Sequence, residues 1–191
     1  ERILPLVKKY GACVVGLTLD ENGIPPKAEE RLAIARRIVE AAEAFGIPRR
    51  DVLIDCLTLT VSAQQAEAQE TLRAIALVKS ELGVKTVLGV SNISFGLPRR
   101  DLVNEAFLAE ALAKGLDLPI MNPNAPGMMA VMDTHRVLWN VDGNCDHFIQ
   151  KYTGTVPGTV AAPTAPVAAE VPEAPKDACG MLMHCVIKGL K

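Results

Sequence analysis

Three polar side chains stand where three successive apolar runs of the chain end. Asp55, Asn92 and Asn122 each lie within two residues of the end of such a run, and Arg100 comes eight residues after Asn92. Three hydroxyl side chains accompany them, namely Thr58, Ser91 and Ser94. Carboxylate, amide, hydroxyl and guanidinium groups can together donate and accept hydrogen bonds around a polar heterocycle. The set is suited to holding such a ligand rather than to attacking it.

The same side chains also have an ordinary structural explanation. An Asp or Asn after a strand often accepts hydrogen bonds from loop amides or caps a helix. That explanation serves well for one position and less well for three successive ones. Arg100 fits the first turn of a helix, but an Arg at this place can also reach an anionic or carbonyl group of a ligand.

The sequence lacks the patterns that are typical of nucleophilic catalysis and of phosphate binding, since it contains neither GxSxG nor a glycine-rich phosphate loop. Cys56 alternates away from Asp55 along its run, so we predict a buried core thiol. The cysteines lack paired CxxC spacing, and we expect reduced thiols and no metal site. The five cysteines are Cys13, Cys56, Cys145, Cys179 and Cys185.

Apolar runs alternate with helical patterns along the first 152 residues. The predicted strands are 12–17, 52–54, 86–90 and 118–121. The predicted helices are 27–45, 62–82 and 101–114, followed by one or two helices within 127–152. A glycine ends each of the first three helices, and Ser62 is a suitable N-cap for the second.

This alternation, with nearly continuous apolar strands, predicts an α/β fold with a parallel sheet that is buried on both faces. About four βα units are the C-terminal half of a TIM (β/α)8 barrel, which needs eight strands. The other strands then lie upstream, come from a second copy, or are lacking. The polar groups would meet at the carboxyl edge, the edge formed by the C-terminal ends of the strands, where such barrels bind ligands.

Composition and targeting signals narrow the classes of function. A net charge of −2 argues against nucleic acid and anionic membranes as partners. The apolar runs are too short to span a bilayer and no signal peptide is evident, so we predict a cytoplasmic protein. The chain opens without Met inside an amphipathic pattern, and we expect it to be a piece of a longer polypeptide.

The C-terminal part of the chain has a different composition. Residues 153–176 are rich in Pro, Ala, Val and Thr, which favours a disordered linker between domains. Residues 177–191 carry apolar positions at helical spacing and predict a short helix that opens a further domain. The predicted organisation is therefore 1–152, 153–176 and 177–191.

Three blocks carry a resemblance to a known family: VGLTLDENGIPPKAEERL, DVLIDCLTLTVS and VLGVSNISFGLPRRDLVNEAFLAEAL. They resemble the second half of the pterin-binding barrel in cobalamin-dependent methionine synthase and in methyltetrahydrofolate:corrinoid protein methyltransferases. The block DACGMLMHCVIKGLK is similar to the first helix of the cap that precedes a cobalamin domain. The resemblance implies the second half of a pterin-binding barrel at 1–152 and the start of a helical cobalamin-binding cap at 177–191.

The resemblance also implies a role for each polar residue. It assigns Asp55, Asn92, Arg100 and Asn122 to pterin binding, although many relatives have Asp in place of Asn122. It places the Asn92 amide at N5 of the folate and so makes Asn92 catalytic. It implies methyltetrahydrofolate as the methyl donor and cobalamin, carried by a neighbouring domain or a partner corrinoid protein, as the acceptor. It is also compatible with a homodimer.

The activity that the resemblance implies is methyl transfer from N5 of methyltetrahydrofolate to cob(I)alamin, and two alternatives stay open. Dihydropteroate synthase shares this barrel, but Ser91-Asn92-Ile93 stands here in place of its basic Ser-Arg-Lys-type block. A half barrel with a linker is also suited to be a non-catalytic scaffold that positions a corrinoid domain. The final methyl acceptor, homocysteine or a corrinoid iron–sulfur protein, stays open as well.

Overall fold

The computed structural model describes residues 2–154. The strands are β1 (Val14–Leu17), β2 (Val52–Asp55), β3 (Lys85–Gly89) and β4 (Leu118–Ile120). The α-helices are α1 (Leu4–Tyr10), α2 (Ala28–Ala44), α3 (Glu67–Leu77), α4 (Arg100–Ala113), α5 (Pro126–Leu138) and α6 (Asp146–Tyr152). Single turns of other helix types lie at Arg49–Asp51, Val78–Leu82, Val90–Ser94 and Gly143–Cys145.

The chain divides into two compact units, and the first of them ends at Lys151. The second begins at Tyr152 and contains the predicted linker and the predicted cap segment. Beyond Gly154 both of these predictions lie outside the described residues. Within residues 2–154, no helix has both the length and the apolar composition that crossing a membrane requires.

The sheet has four parallel strands in the order β1-β2-β3-β4, and a helix follows each strand. This confirms the predicted α/β fold and its βα repeats. The register aligns the strands so that Leu17 lies beside Asp55, Asp55 beside Val87, and Val87 beside Leu118. Because all strands run the same way, their carboxyl ends and the loops that follow them lie along one edge of the sheet.

One face of the sheet is covered by helices and forms the core. Ile54 of β2 and Leu88 of β3 are fully buried. They belong to one apolar cluster with Val39 of α2, Ile75 of α3 and Leu108 of α4. The apolar residues of these helices recur every three or four positions, which places them on the side that packs on the strands. Burial of this helical stripe against the sheet stabilises the four-stranded α/β unit.

The opposite face of the sheet is open at the two outer strands, so the prediction of burial on both faces is wrong for β1 and β4. Side chains alternate between the two faces of a strand, and Val15 and Leu17 of β1 therefore point away from the helices. With Leu118 and Ile120 of β4 they are between 43% and 61% exposed. In a closed barrel this face points inward, but four strands cannot close on themselves and leave it uncovered.

The second predicted helix begins later than expected. Ser62 does not cap it, because α3 starts only at Glu67. The Ser62 hydroxyl instead donates a hydrogen bond of 2.7 Å to the carbonyl oxygen of Phe95, and the Thr60 hydroxyl donates to the same oxygen at 2.7 Å. The two hydroxyls thus tie the loop after β2 to the loop after β3. The predicted end of this helix at Gly83 is confirmed, since Gly83 has a left-handed φ of 63°.

The buried face yields a stability prediction with a matched control. We expect Leu88→Ala to lower the free energy of unfolding by about 2–5 kcal/mol, because it removes a fully buried side chain and leaves a cavity. Leu102→Ala removes the same atoms from a side chain that is 54% exposed, and we expect a change below about 0.5 kcal/mol. Urea denaturation followed by circular dichroism measures both, and equal shifts for the two variants would contradict the assignment of the core.

Candidate functional site

Asp55 is the last residue of β2 and points to the open face of the sheet. Its Oδ1 atom accepts a hydrogen bond of 2.8 Å from the backbone N–H of Leu57, while Oδ2 accepts none from residues 2–154. Burial raises the pKa of the Asp55 carboxyl above its ordinary value, and the Leu57 N–H opposes this. Asp55 is therefore a half-buried carboxylate with one oxygen left to accept a hydrogen bond from a ligand.

Asn92 lies in the single turn Val90–Ser94 that directly follows β3. Its amide folds back over Gly89, where an added Cβ would lie only 3.1 Å from Asn92 Nδ2. The Asn92 side chain is exposed and forms no hydrogen bond within the described part of the chain. A turn on the neighbouring strand thus presents an amide that can donate to a ligand at the carboxyl edge.

Arg100 is the first residue of α4 and folds onto the turn that carries Asn92. Its Nη2 atom donates a hydrogen bond of 2.9 Å to the Ser91 carbonyl oxygen, and its Nε atom donates one of 2.9 Å to Ser94 Oγ. Its guanidinium lies 4.5 Å from the centre of the Phe95 ring. In this structure Arg100 therefore supports the residues on either side of Asn92.

Asn122 stands two residues after β4 and partly forms its own turn. Its Oδ1 atom accepts a hydrogen bond of 3.0 Å from the backbone N–H of Asn124. With Ser91 and Arg100 it lines a cavity of about 330 Å³ between α4 and the start of α5. Asp55 and Asn92 are not among the residues that line this cavity. The structure thus brings Arg100 and Asn122 together in one cavity and leaves Asp55 and Asn92 at the adjoining stretch of the carboxyl edge.

Comparison with known proteins identifies the family of this chain. Residues 1–122, more than half of the chain, match the model of the pterin-binding enzymes. The chain belongs to this family. It is 39% identical over 129 residues to methionine synthase of Mycobacterium leprae (strain TN), and equally to methionine synthase of Mycobacterium tuberculosis (strain ATCC 25618 / H37Rv). It is 28% identical over 144 residues to methylcorrinoid:tetrahydrofolate methyltransferase of Eubacterium limosum.

The extent of these similarities confirms the resemblance seen in the sequence and also sets its scope. The alignments cover 63% of this chain against the two methionine synthases and 73% against the methyltransferase. The chain spans only 11% of the length of each methionine synthase and 51% of the methyltransferase. The chain therefore matches a part of each of these relatives and not the whole of any of them.

Two polar residues beside the site escaped the sequence analysis. Asn104 lies in α4, one turn after Arg100, and lines the same cavity. Its Oδ1 atom is buried without a hydrogen-bond partner among the described residues. The spacing of four residues from Arg100 was a signal for it, because positions i and i+4 share one face of a helix. The second residue, Arg31, had a similar signal, because it lies three residues after Ala28 and four before Ala35 on the buried side of α2. The partners of its guanidinium are distant in the sequence and could not be named from it.

The described part of the pterin-binding domain contains no cluster that could hold a metal ion. Within residues 2–154, no group of three or more His, Cys, Asp or Glu side chains converges on one point. Cys179 and Cys185 lie outside the described residues.

Cys56 lies beside Asp55 and yields a prediction about thiol reactivity. The thiol is fully buried, and burial, with the neighbouring Asp55 charge, raises its pKa to about 12. Cys13 is exposed. Because the thiolate is the reactive form, we expect Ellman's reagent at pH 8 to modify Cys13 and leave Cys56 unmodified in the folded protein. Cys13→Ser should lose one fast-reacting thiol and Cys56→Ala none; loss of one in the second variant would contradict the buried position.

Proposed function

We propose that this chain forms the C-terminal half of a methyltetrahydrofolate site in a methyltransferase that passes the N5 methyl group to cob(I)alamin. In the complete enzyme, by which we mean the protein with all eight strands of the barrel, Asp55, Asn92, Arg100 and Asn122 contribute to the pterin site. The observation that carries the proposal is the presence of a hydrogen-bond acceptor and a hydrogen-bond donor at the carboxyl ends of the neighbouring strands β2 and β3. Oδ2 of Asp55 and the amide of Asn92 are both without partners among the described residues.

A pterin ring presents N–H donors and carbonyl and ring-nitrogen acceptors along its polar edge, and the two side chains match it. A carboxylate accepts hydrogen bonds only, so Asp55 suits the N–H groups of the ring. A primary amide can donate, so Asn92 suits the N5 region. Arg100 stabilises the turn around Asn92 through the Ser91 carbonyl. One relative is named a methylcorrinoid:tetrahydrofolate methyltransferase, and this name supports a folate as the ligand and a corrinoid as the partner.

The difficult step in this reaction is the departure of the folate amine. As the bond between N5 and the methyl carbon breaks, its electron pair stays on N5, which takes up a proton from solvent to give tetrahydrofolate; a hydrogen bond to N5 assists its departure. A donor at N5 stabilises the transition state more than the ground state, because the charge develops only as the bond breaks. We assign this role to the Asn92 amide.

The methyl group also needs a nucleophile, and the described part of the site offers none. Cys56, the thiol beside Asp55, is buried and stays protonated at neutral pH because its pKa is raised to about 12. Cobalamin, bound by a neighbouring domain or a partner corrinoid protein, supplies a cobalt nucleophile for the methyl group. The residues of this chain then have the tasks of binding the pterin, orienting it and donating to N5.

An anaerobic transfer assay tests the proposal. The complete enzyme is mixed with methyltetrahydrofolate and cob(I)alamin, and the loss of the cob(I)alamin absorbance is followed. We expect protein-dependent transfer with one tetrahydrofolate formed per cob(I)alamin consumed, and no reaction when folic acid replaces the methylated donor. A folded complete enzyme that binds methyltetrahydrofolate and does not accelerate the transfer would contradict the proposed activity.

The open face of the sheet favours a second function for the 191-residue chain by itself. Without the other strands the site is incomplete, and the chain would then act as a scaffold that positions a corrinoid domain. Binding of methyltetrahydrofolate separates the two functions, because a scaffold does not bind the pterin.

The cytoplasmic location and the homodimer stay predictions. Size-exclusion chromatography with light scattering tests whether the protein is a homodimer.

A further inference from the structure

Arg31 is the largest side chain that is completely buried among the described residues. It lies in α2, and its Nη2 atom forms an ion pair with Glu67 at the start of α3. Its Nε atom donates a hydrogen bond of 2.7 Å to the carbonyl oxygen of Pro25, in the loop that follows β1. Burying a guanidinium costs desolvation energy that an ion pair alone seldom offsets. A buried Arg is therefore weak evidence for a gain in stability, and we consider instead which groups its hydrogen bonds hold in place.

The remaining N–H groups of Arg31 hold the turn that follows Asp55. Nη1 donates to the carbonyl oxygen of Cys56 at 3.1 Å and to that of Leu57 at 3.2 Å. It also donates to Thr71 Oγ1 at 2.9 Å, and this hydroxyl donates in turn to the Leu57 carbonyl oxygen at 3.2 Å. One guanidinium therefore connects the loops after β1 and β2 with helices α2 and α3.

The turn that Arg31 holds has a backbone conformation that needs support. Leu57 has a φ of 60°, in the left-handed region that residues with a bulky side chain seldom adopt. In this conformation its N–H donates to Asp55 Oδ1 at 2.8 Å. If Leu57 relaxed to an ordinary φ, its N–H would turn away and the Asp55 carboxylate would lose the bond that orients it.

We propose that Arg31 is a positioning residue for the pterin site: it holds the Cys56–Leu57 turn so that the Leu57 N–H fixes the Asp55 carboxylate for the ligand. The proposal rests on the proposed function for its ligand but not for its structural part. A Lys at this position keeps the buried positive charge and can pair with Glu67. It lacks the planar, five-donor geometry that reaches the Pro25, Cys56 and Leu57 carbonyl oxygens together.

Arg31→Lys therefore tests positioning, and Arg36→Lys is its matched control. Arg36 lies in the same helix and also pairs with a glutamate, Glu81 at 2.7 Å, but on the protein surface. We expect Arg31→Lys to raise the KM of the complete enzyme for methyltetrahydrofolate about tenfold, the effect of one weakened hydrogen bond to a charged group. Because Asp55 binds the ring rather than N5, kcat should change less than about twofold. Arg36→Lys should leave both KM and kcat unchanged.

A double-mutant cycle separates positioning from a general loss of structure. In the Asp55→Ala background the carboxylate is gone, so Arg31→Lys should weaken methyltetrahydrofolate binding by less than about twofold. The same loss of affinity in the wild-type and Asp55→Ala backgrounds would overturn the proposal, because the residue would then act independently of Asp55.

Hydrogen exchange of the Leu57 amide, measured by NMR, tests the structural part without any ligand. We expect Arg31→Lys to speed exchange of this amide at least about tenfold relative to Arg36→Lys, because the turn opens locally. An equal urea midpoint for the two variants shows that the faster exchange does not come from a lower global stability. Unchanged exchange would overturn the proposal whether or not the protein binds a folate. Failure of the wild-type enzyme to bind methyltetrahydrofolate would instead overturn the proposed function, and the Leu57 amide would still decide the role of Arg31.

Discussion

Replacing Asn92 with alanine should slow methyl transfer in the complete enzyme by about 10²–10³-fold, the effect of removing one hydrogen-bond donor to a developing charge. That loss corresponds to about 2.7–4 kcal/mol of transition-state stabilisation. The affinity for methyltetrahydrofolate should fall much less, because N5 carries little charge before the bond to the methyl group breaks. The exposed amide, which forms no hydrogen bond within residues 2–154, leaves no second structural role for the side chain to confuse the result.

Single-turnover stopped-flow measurement of methyl transfer with saturating folate isolates this effect from binding. Asn124→Ala is the matched control, because Asn124 is an exposed asparagine at the same edge of the sheet and contacts the proposed site only through its backbone N–H, which alanine keeps. Asn92→Asp replaces the donating amide with an acceptor and should be at least as slow as Asn92→Ala. A transfer rate for Asn92→Ala equal to that of the control would remove Asn92 from the mechanism.

Replacing Asp55 with alanine should weaken methyltetrahydrofolate binding by about 1.5–3 kcal/mol, the range for a hydrogen bond to a charged group. The pH dependence of binding should carry the same signature. The carboxylate accepts a pterin N–H only when it is ionised, and burial raises the pKa of Asp55. As the pH is lowered, affinity should therefore begin to fall at a higher pH than it would for an Asp with an ordinary pKa. A pH profile for wild type that coincides with that of Asp55→Ala would contradict this role.

The same carboxyl also makes a prediction about stability. The pKa of Asp55 in the folded protein is raised above its unfolded value, so its contribution to stability is complete below the unfolded pKa and is lost as pH rises through the folded pKa. Asp55→Asn removes the ionisation while keeping an oxygen that can accept from the Leu57 N–H. We expect its Tm to exceed that of wild type at pH 7 and to equal it near pH 3.5, below the ordinary Asp pKa of about 3.9. A lower Tm at pH 7 would contradict the desolvation of this carboxyl.

The sequence predicted those parts of the fold that depend on local pattern. Apolar runs predicted the four strands. The ends of the first three predicted helices could be placed at glycines, because glycine readily adopts the left-handed conformation that ends a helix. The polar residues at the strand ends could be named because parallel strands bring their carboxyl ends to one edge. Asp55 lies at that edge as expected, as do the turn of Asn92 and the loop of Asn122.

The features that the sequence did not predict depend on contacts between distant residues. Ser62 has the residue type of an N-cap, but its hydroxyl donates its hydrogen bond to the carbonyl oxygen of Phe95, 33 residues away in the chain. Arg31 shares the buried side of α2 with Ala28 and Ala35, but the sequence does not show what receives its charge, because the carbonyl oxygen that accepts from it is 25 residues away. The open face of the sheet has the same origin, since burial of Leu17 requires strands that face it across a closed barrel.

Isothermal titration calorimetry of methyltetrahydrofolate into the complete enzyme tests the central claim most directly. The wild-type protein should bind one methyltetrahydrofolate per barrel, and Asp55→Ala should bind at least about tenfold more weakly, as expected for loss of one hydrogen bond to a charged group. The 191-residue chain titrated alongside shows whether the half barrel binds without the other strands. A folded complete enzyme that gives no binding heat, or an Asp55→Ala variant that binds as tightly as wild type, would contradict a pterin site at this edge of the sheet.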